Sequence, residues 1–291
     1  MNTRLLSVLG GLLLGAAVAA GCWMLASDAP GVSEDMAPLG SLAPRGSLAL
    51  PVPPVPPRVA AGQDYEKCLD LLENDPTGAT AFSLGWSAGG EGAAHCLALS
   101  KIALGQPAEG AALLEAMAGR SIAPPAVRAM LFGQAGQAWV MADDNDRAYA
   151  AMTRAVGLLG DDVELLIERA GIAGSLERHD DAIADLDQVL ARDPTRTDAM
   201  TQRAATLRKL NRLDAADGEI ARALALDADY PEALLERGIL RQRKGDTEGA
   251  RADWDRVIEL DPDSPAADLA EQNLALLDAG PDNGPEPARK P

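Results

Sequence analysis

The sequence predicts an all-α fold assembled from a tandem helical repeat, and three observations carry that prediction. Displaced by 34 residues against itself, the second half of the chain returns the same residue classes in windows beginning at Ala129, Val163, Thr197 and Pro231, with no insertion between them. Asp-Pro pairs at 193–194 and 261–262 close two of these windows with a helix stop, because Pro cannot continue a helix and disfavours α geometry in the residue before it. Composition agrees: 47% hydrophobic residues with only 3% aromatic implies an alanine-rich core of closely approaching helices, and no strand-rich region is visible.

Counted from the start of each window, offset 20 is Ala148, Ala182, Ala216 and Ala250, and offset 8 is Gly136, Ala170, Ala204 and Gly238. Offset 4 holds Phe132, Leu166, Met200 and Leu234, and offset 24 holds Met152, Leu186, Ile220 and Trp254. This pattern resembles the tetratricopeptide repeat, whose unit is a helix, a tight turn and an antiparallel second helix. The resemblance covers 129–262 and implies an α-solenoid of stacked antiparallel helix pairs. Offsets 8 and 20 then face each other where two backbones approach, so Gly or Ala is required, while offsets 4 and 24 fill the space alongside.

The remaining elements follow in chain order. Residues 1–27 carry Arg4 and then an uncharged stretch from Leu5 to Ser27, long enough to span a bilayer and also of signal-peptide form. Arg4 before the stretch and Asp28, Glu34 and Asp35 beyond it give the positive-inside bias that sends the remainder across the membrane. The expected location is therefore the cell envelope, anchored in the membrane and facing the periplasm. Three fates stay open: a retained anchor, cleavage after Ala19, or lipidation of Cys22, where Ala19-Ala20-Gly21-Cys22 resembles a bacterial lipobox without its usual leading Leu. Residues 28–61, with PVPPVPP at 51–57, read as a disordered Pro/Gly-rich spacer.

Residues 62–128 read as irregular hairpins of the same type, with Asp75-Pro76 at a first bend, a looser repeat over 91–124, and a four-residue excess, Pro125 to Arg128. Four regular repeats occupy 129–262. Residues 263–279 read as a capping helix with Ser264 at its N-cap and Pro265 in its first turn, and 280–291 as a disordered tail.

Two features point to internal fastening. Cys68 and Cys96 lie at similar heights on adjacent first helices of a solenoid, and export permits their pairing, so a disulfide clipping the first hairpin is expected. Offset 7 reads Ala135, Arg169, Arg203 and Arg237 while offset 23 reads Ala151, Asp185, Glu219 and Asp253. The two columns change together, so three ion pairs within repeats are expected, with an arginine ladder facing a ligand as the alternative.

Other chemistry is weakly signalled. A formal net charge of −18 argues against nucleic acid and favours basic partners. No metal or cofactor is expected: His95 and Cys96 are adjacent, His179 is distant, and Asp143-Asp-Asn-Asp146 lacks the Gly and distal Glu of a calcium loop, reading instead as a turn between helices. Gly85-Trp-Ser87-Ala-Gly89 matches the nucleophile elbow of α/β-hydrolases, but that motif needs a strand-to-helix turn, so a hydrolase centred on Ser87 is a remote reading.

The resemblance implies that first helices line a groove, presenting offsets 2, 5, 6, 9, 12 and 13. Those positions supply Gln134, Gln137 and Met141 from the first repeat, and Glu164 and Glu168 from the second. The third adds Gln202, Arg208 and Lys209, and the fourth Glu232, Glu236, Gln242 and Arg243. The Lys and Asn clamp of the family's chaperone-binding members is absent. The expected function is a non-enzymatic interaction scaffold, tethered to the membrane, holding a peptide or partner helix in the groove. A self-associating structural module, forming a homo-oligomer, is the alternative.

Overall fold

The structure, a computed structural model, describes residues 58–279. Among these residues thirteen α-helices and no strand occur. The first hairpin is α1 (Gln63–Asn74) and α2 (Pro76–Gly85), the second α3 (Gly90–Ala103) and α4 (Pro107–Arg120), the third α5 (Pro125–Met141) and α6 (Asn145–Leu158). Then come α7 (Val163–Ser175) with α8 (His179–Arg192), α9 (Thr197–Lys209) with α10 (Leu213–Leu226), and α11 (Pro231–Arg243) with α12 (Thr247–Leu260). Helix α13 (Pro265–Ala279) follows, with Ser264 Oγ accepting from the Ala267 N–H at 3.1 Å as its cap.

Close backbone approach is visible where small residues recur. A Cβ on Gly136 would lie 2.9 Å from Met152 Cε and 3.3 Å from the Ala148 carbonyl. One on Gly238 would strike the Trp254 indole at 2.3 Å, and that indole donates to the Leu235 carbonyl at 3.2 Å. The turn inside each hairpin is also periodic. Gly105, Asp143, Glu177, Asn211 and Gly245 all occupy offset 15 and all have φ between 56 and 85°, the left-handed region that glycine adopts at least cost. Each such residue reverses the chain so that the second helix packs back on the first.

Three details depart from expectation. The excess Pro125 to Arg128 is not a spacer between repeats: it forms the first turn of α5, which runs to 17 residues against 13 in α7. Pro125 suits that turn because its missing N–H would have no partner there. The acidic run after α5 is only half turn, since Asp144 caps α6 through the Arg147 N–H at 3.1 Å while Asn145 and Asp146 are already helical. The spacer expected to reach 61 ends earlier, because Arg58 pairs with Glu66 at 2.7 Å and lies over the Tyr65 ring, and Val59 packs on the core. The membrane segment, the rest of the spacer, Cys22 and the tail lie outside the described residues.

Buried side chains form two clusters. One holds buried residues from Cys68 to Ala155 together with Ile172 and includes Phe132 and Trp139; the other draws on residues from Val156 to Ala270 and includes Trp254. Cys68 and Cys96 are disulfide-bonded, with 6.1 Å between Cα atoms, joining α1 to α3 inside the first cluster.

Candidate functional site

The face built by first helices is organised by contacts that cross from one repeat to the next. Gln137 Nε2 donates to Glu168 Oε1 at 2.8 Å, tying α5 to α7. Lys209 Nζ on α9 donates to the Gly174 carbonyl on α7 at 3.1 Å, and Arg243 on α11 reaches the Arg208 carbonyl at 3.5 Å. At the entry of α9, Arg196 binds Glu164 at 2.6 and 3.1 Å while also holding Asp198. Glu164 is exposed, Glu232 is half-buried in the first turn of α11, and Met141 is half-buried at the end of α5.

Three expected groove residues are not surface contacts. Arg208 and Glu236 are buried and bind each other through two bonds, Nε to Oε1 and Nη2 to Oε2, the latter at 3.4 Å. Burial pushes the Glu236 carboxyl up, and the Arg208 charge opposes that shift. Gln134 is buried too, its Oε1 2.8 Å from His95 Nε2. The reason is common to all three: repeat position fixes the side of a helix from which a side chain departs, not how far it extends over the neighbouring helix.

His95 was not legible as anything but an unused ligand. It is fully buried, with the Tyr65 hydroxyl 2.6 Å from Nδ1. Because Gln134 Oε1 can only accept, Nε2 carries the proton, and Nδ1 then accepts from Tyr65. Burial holds this imidazole at a pKa of about 4 and raises the Tyr65 phenol to about 12. The relay and the disulfide are adjacent in sequence, through His95 and Cys96, and both join α1 to α3.

The offset-7 and offset-23 columns meet within repeats. Arg169 binds Asp185 bidentately at 2.6 and 2.7 Å, and Arg237 binds Asp253 at 2.6 and 2.9 Å, with Arg241 adding a bond to Asp253 at 2.7 Å. Arg203 bridges Glu219 at 2.7 Å and also reaches Asp187. In the repeat that lacks charges here, Ala135 and Ala151 are both fully buried.

Glu168 is the unusual carboxyl of the face. Burial raises its pKa to about 7, the Gln137 hydrogen bond opposes this, and Glu164 and Asp162 add to it. The Oε1 atoms of Gln202 and Gln242 are buried without a hydrogen-bond partner among the described residues. Ser87 is exposed in the 86–89 loop between two helices, and His95, the next histidine along the chain, has both ring nitrogens engaged elsewhere. Among the described residues no group of three potential metal ligands occurs, and no helix is long and apolar enough to cross a membrane.

No family model matches the sequence, and no curated protein matches it. Solved structures do match. MamA from Desulfovibrio magneticus RS-1 is 16% identical, the match covering 70% of this chain and 98% of that one with a TM-score of 0.49. YrrB, described as a TPR protein with an unusual peptide-binding site, is 19% identical over 73% of this chain and 100% of its own, with a TM-score of 0.44. The TPR domain of Arabidopsis OM64 is 21% identical over 40% of this chain and 95% of its own, with a TM-score of 0.38. The likeness is one of fold.

Proposed function

We propose, taking the chain as a tandem of tetratricopeptide-type helix pairs, that it is a protein-interaction scaffold which holds an extended peptide or partner helix against its first helices. The observation that carries this reading is the cross-repeat stitching of that face. Gln137, Glu168, Lys209 and Arg243 are held by neighbouring helices, so a partner meets polar groups whose ordering cost is already met. The N-terminal segment, read as a membrane anchor, would place the array on the periplasmic side, and a buried disulfide suits an oxidising compartment. A role in assembling envelope complexes is the form of scaffolding this placement suggests.

The test is a cross-linked pull-down of the full-length protein from its native membranes, beside a variant carrying Glu164→Ala, Lys209→Ala and Arg243→Ala. These positions are chosen over Arg208, whose removal would strand a buried Glu236. A partner captured by wild type and lost from the variant supports the reading. Recovery of the protein alone, unchanged by the substitutions, would sink it in favour of self-association.

A further inference from the structure

The six loops that lead from one second helix to the next first helix are all of one length: 86–89, 121–124, 159–162, 193–196, 227–230 and 261–264. They emerge along one edge. Contacts between successive first helices join nearly matching offsets, as Lys209 does with the Gly174 carbonyl and Arg243 with the Arg208 carbonyl, so those helices run parallel and start on the same side. Tyr65 with His95, and Cys68 with Cys96, align α1 and α3 in the same sense.

Along this edge the chemistry changes halfway. Each of the last four loops holds aspartate, Asp161, Asp193, Asp227 and Asp261 among them, and Arg196 is their one cation. The first two, Trp86-Ser87-Ala88-Gly89 and Ser121-Ile122-Ala123-Pro124, hold no charge, and neither does any residue of α2. They turn apolar side chains outward instead. Leu84, in the last turn of α2, is 70% exposed, and Ile122 is wholly exposed. Ile122 is also held in place, since the buried Ser121 accepts from the Ala123 N–H through Oγ at 3.1 Å and Pro124 and Pro125 stiffen the exit.

The uncharged half is close to neutral in its surroundings. Arg120, exposed in the last turn of α4, and Arg128, which donates to the Ala118 carbonyl at 3.0 Å, flank the 121–124 loop without an ion pair among the described residues. Asp64 and Glu91, in the first turns of α1 and α3, balance them. The described chain enters at this place. A Cβ on Gly92, in the first turn of α3, would lie 2.8 Å from Ala60 Cβ and 3.2 Å from the Trp86 ring, so residues 58–62 arrive beside the 86–89 loop. Before them in the sequence come the spacer and the uncharged stretch read as a membrane anchor.

We infer that this uncharged edge, tipped by Leu84 and Ile122, rests on the lipid surface to which the chain is anchored. A bilayer interface takes up apolar tips and a half-buried indole such as Trp86, whereas carboxylates lose hydration there and are repelled by anionic headgroups. A protein of net charge −18 therefore approaches lipid where its aspartates are missing. Entry of the tether at this edge favours lipid over a protein as the occupant, and the acidic loops hold the later repeats off the surface. The inference rests on the anchor reading above and adds the face that meets the membrane.

The experiment reconstitutes full-length protein into vesicles of phosphatidylcholine with one quarter phosphatidylglycerol, with or without bromine on the acyl chains, and reads quenching of an added tryptophan. Ile122→Trp probes the uncharged half, and Leu226→Trp, at an exposed leucine next to Asp227, the acidic half; parent emission is subtracted and helix content recorded for each. The Ile122→Trp indole is expected to lose most of its emission to brominated lipid and the Leu226→Trp indole almost none. Adding Leu84→Asp to Ile122→Trp should restore much of the loss. Retention in the vesicles after an alkaline wash reports the anchor separately. Retained protein whose Ile122→Trp indole is quenched no more than that of Leu226→Trp overturns the lipid contact and leaves the anchor standing; protection of 121–124 from hydrogen exchange in native membranes would then assign the edge to a protein. Quenching at Ile122→Trp in protein that the wash removes overturns the anchor and keeps the contact. Absence of both overturns both.

Discussion

Acid should loosen the N-terminal cluster through a single imidazole. His95 is fully buried between Tyr65 and Gln134, with no carboxylate at either nitrogen, so a second ring proton would create a buried cation facing a hydroxyl that now donates to it. Its folded pKa is accordingly about 4, against 6.5 for a free histidine. The folded pKa is the lower one, so the contribution to stability is complete above pH 6.5 and is lost as pH falls toward 4. One pKa unit is worth about 1.4 kcal/mol, which puts the loss at about 2 kcal/mol by pH 5 and about 3 kcal/mol by pH 4. The chain has only two histidines, His95 and His179, so imidazole carbon–proton correlations resolve them, and a His95→Asn variant assigns the pair. The His95 signal is expected to stay neutral until below pH 5 and then to shift together with loss of near-ultraviolet ellipticity. A reversible midpoint near 6.5 in the folded protein would refute the reasoning, since it would mean that water reaches the ring.

Glu168 should titrate with the opposite consequence: its folded pKa of about 7 exceeds that of a free carboxyl, so folding loses stability as pH rises from about 4.5 through 7. Glu168→Gln should therefore stabilise the protein more at pH 8 than at pH 5, measured by urea unfolding at both. Arg208→Ala is expected to cost about 3–5 kcal/mol, because it leaves the buried Glu236 carboxylate unopposed, while Arg208→Leu with Glu236→Leu should cost less. Equal losses in chemical denaturation would show that Glu236 finds another partner. Cys68→Ser with Cys96→Ser opens a cross-link spanning 28 residues and should lower stability by about 3–4 kcal/mol on a chain-entropy estimate, with hydrogen exchange speeding up first in α1 and α2. Unchanged exchange there would mean that Tyr65 and Leu72 hold α1 without the cross-link. Glu177→Gly relieves a left-handed backbone at φ 58° and should raise stability by about 1 kcal/mol. A fall in the thermal midpoint would show that the Glu177 side chain matters more than its backbone.

What the sequence shows most clearly is what each repeat does within itself. Ala148, Ala182, Ala216 and Ala250 recur in phase because one packing problem is solved four times, and the Arg and acid columns covary because both partners of a pair lie in one unit. Contacts between units are harder to read. Arg208 and Glu236 stand 28 residues apart, less than one period, so no column lines them up, and each alone looks like a solvated charge. The Tyr65–His95–Gln134 relay reaches out of the regular array into the irregular region that holds Tyr65 and His95, where phase is lost and spacing predicts no neighbour.

The two kinds of ion pair impose different rules on how such an array could change its length. Arg169–Asp185, Arg203–Glu219 and Arg237–Asp253 each close within one unit, so a whole unit could be duplicated or deleted without leaving any of these charges alone. Arg208–Glu236 crosses a boundary. Deleting 197–230 would bring Glu236 against α7, where Gly171 and Gly174 offer no cation, and a second copy of that unit would pair its own Arg208 with Glu236 and leave the original Arg208 facing the copied Gln202. The last two repeats are thus held in order by a buried charge pair, as the contact of Gln137 with the half-buried Glu168 holds the first two of the regular array.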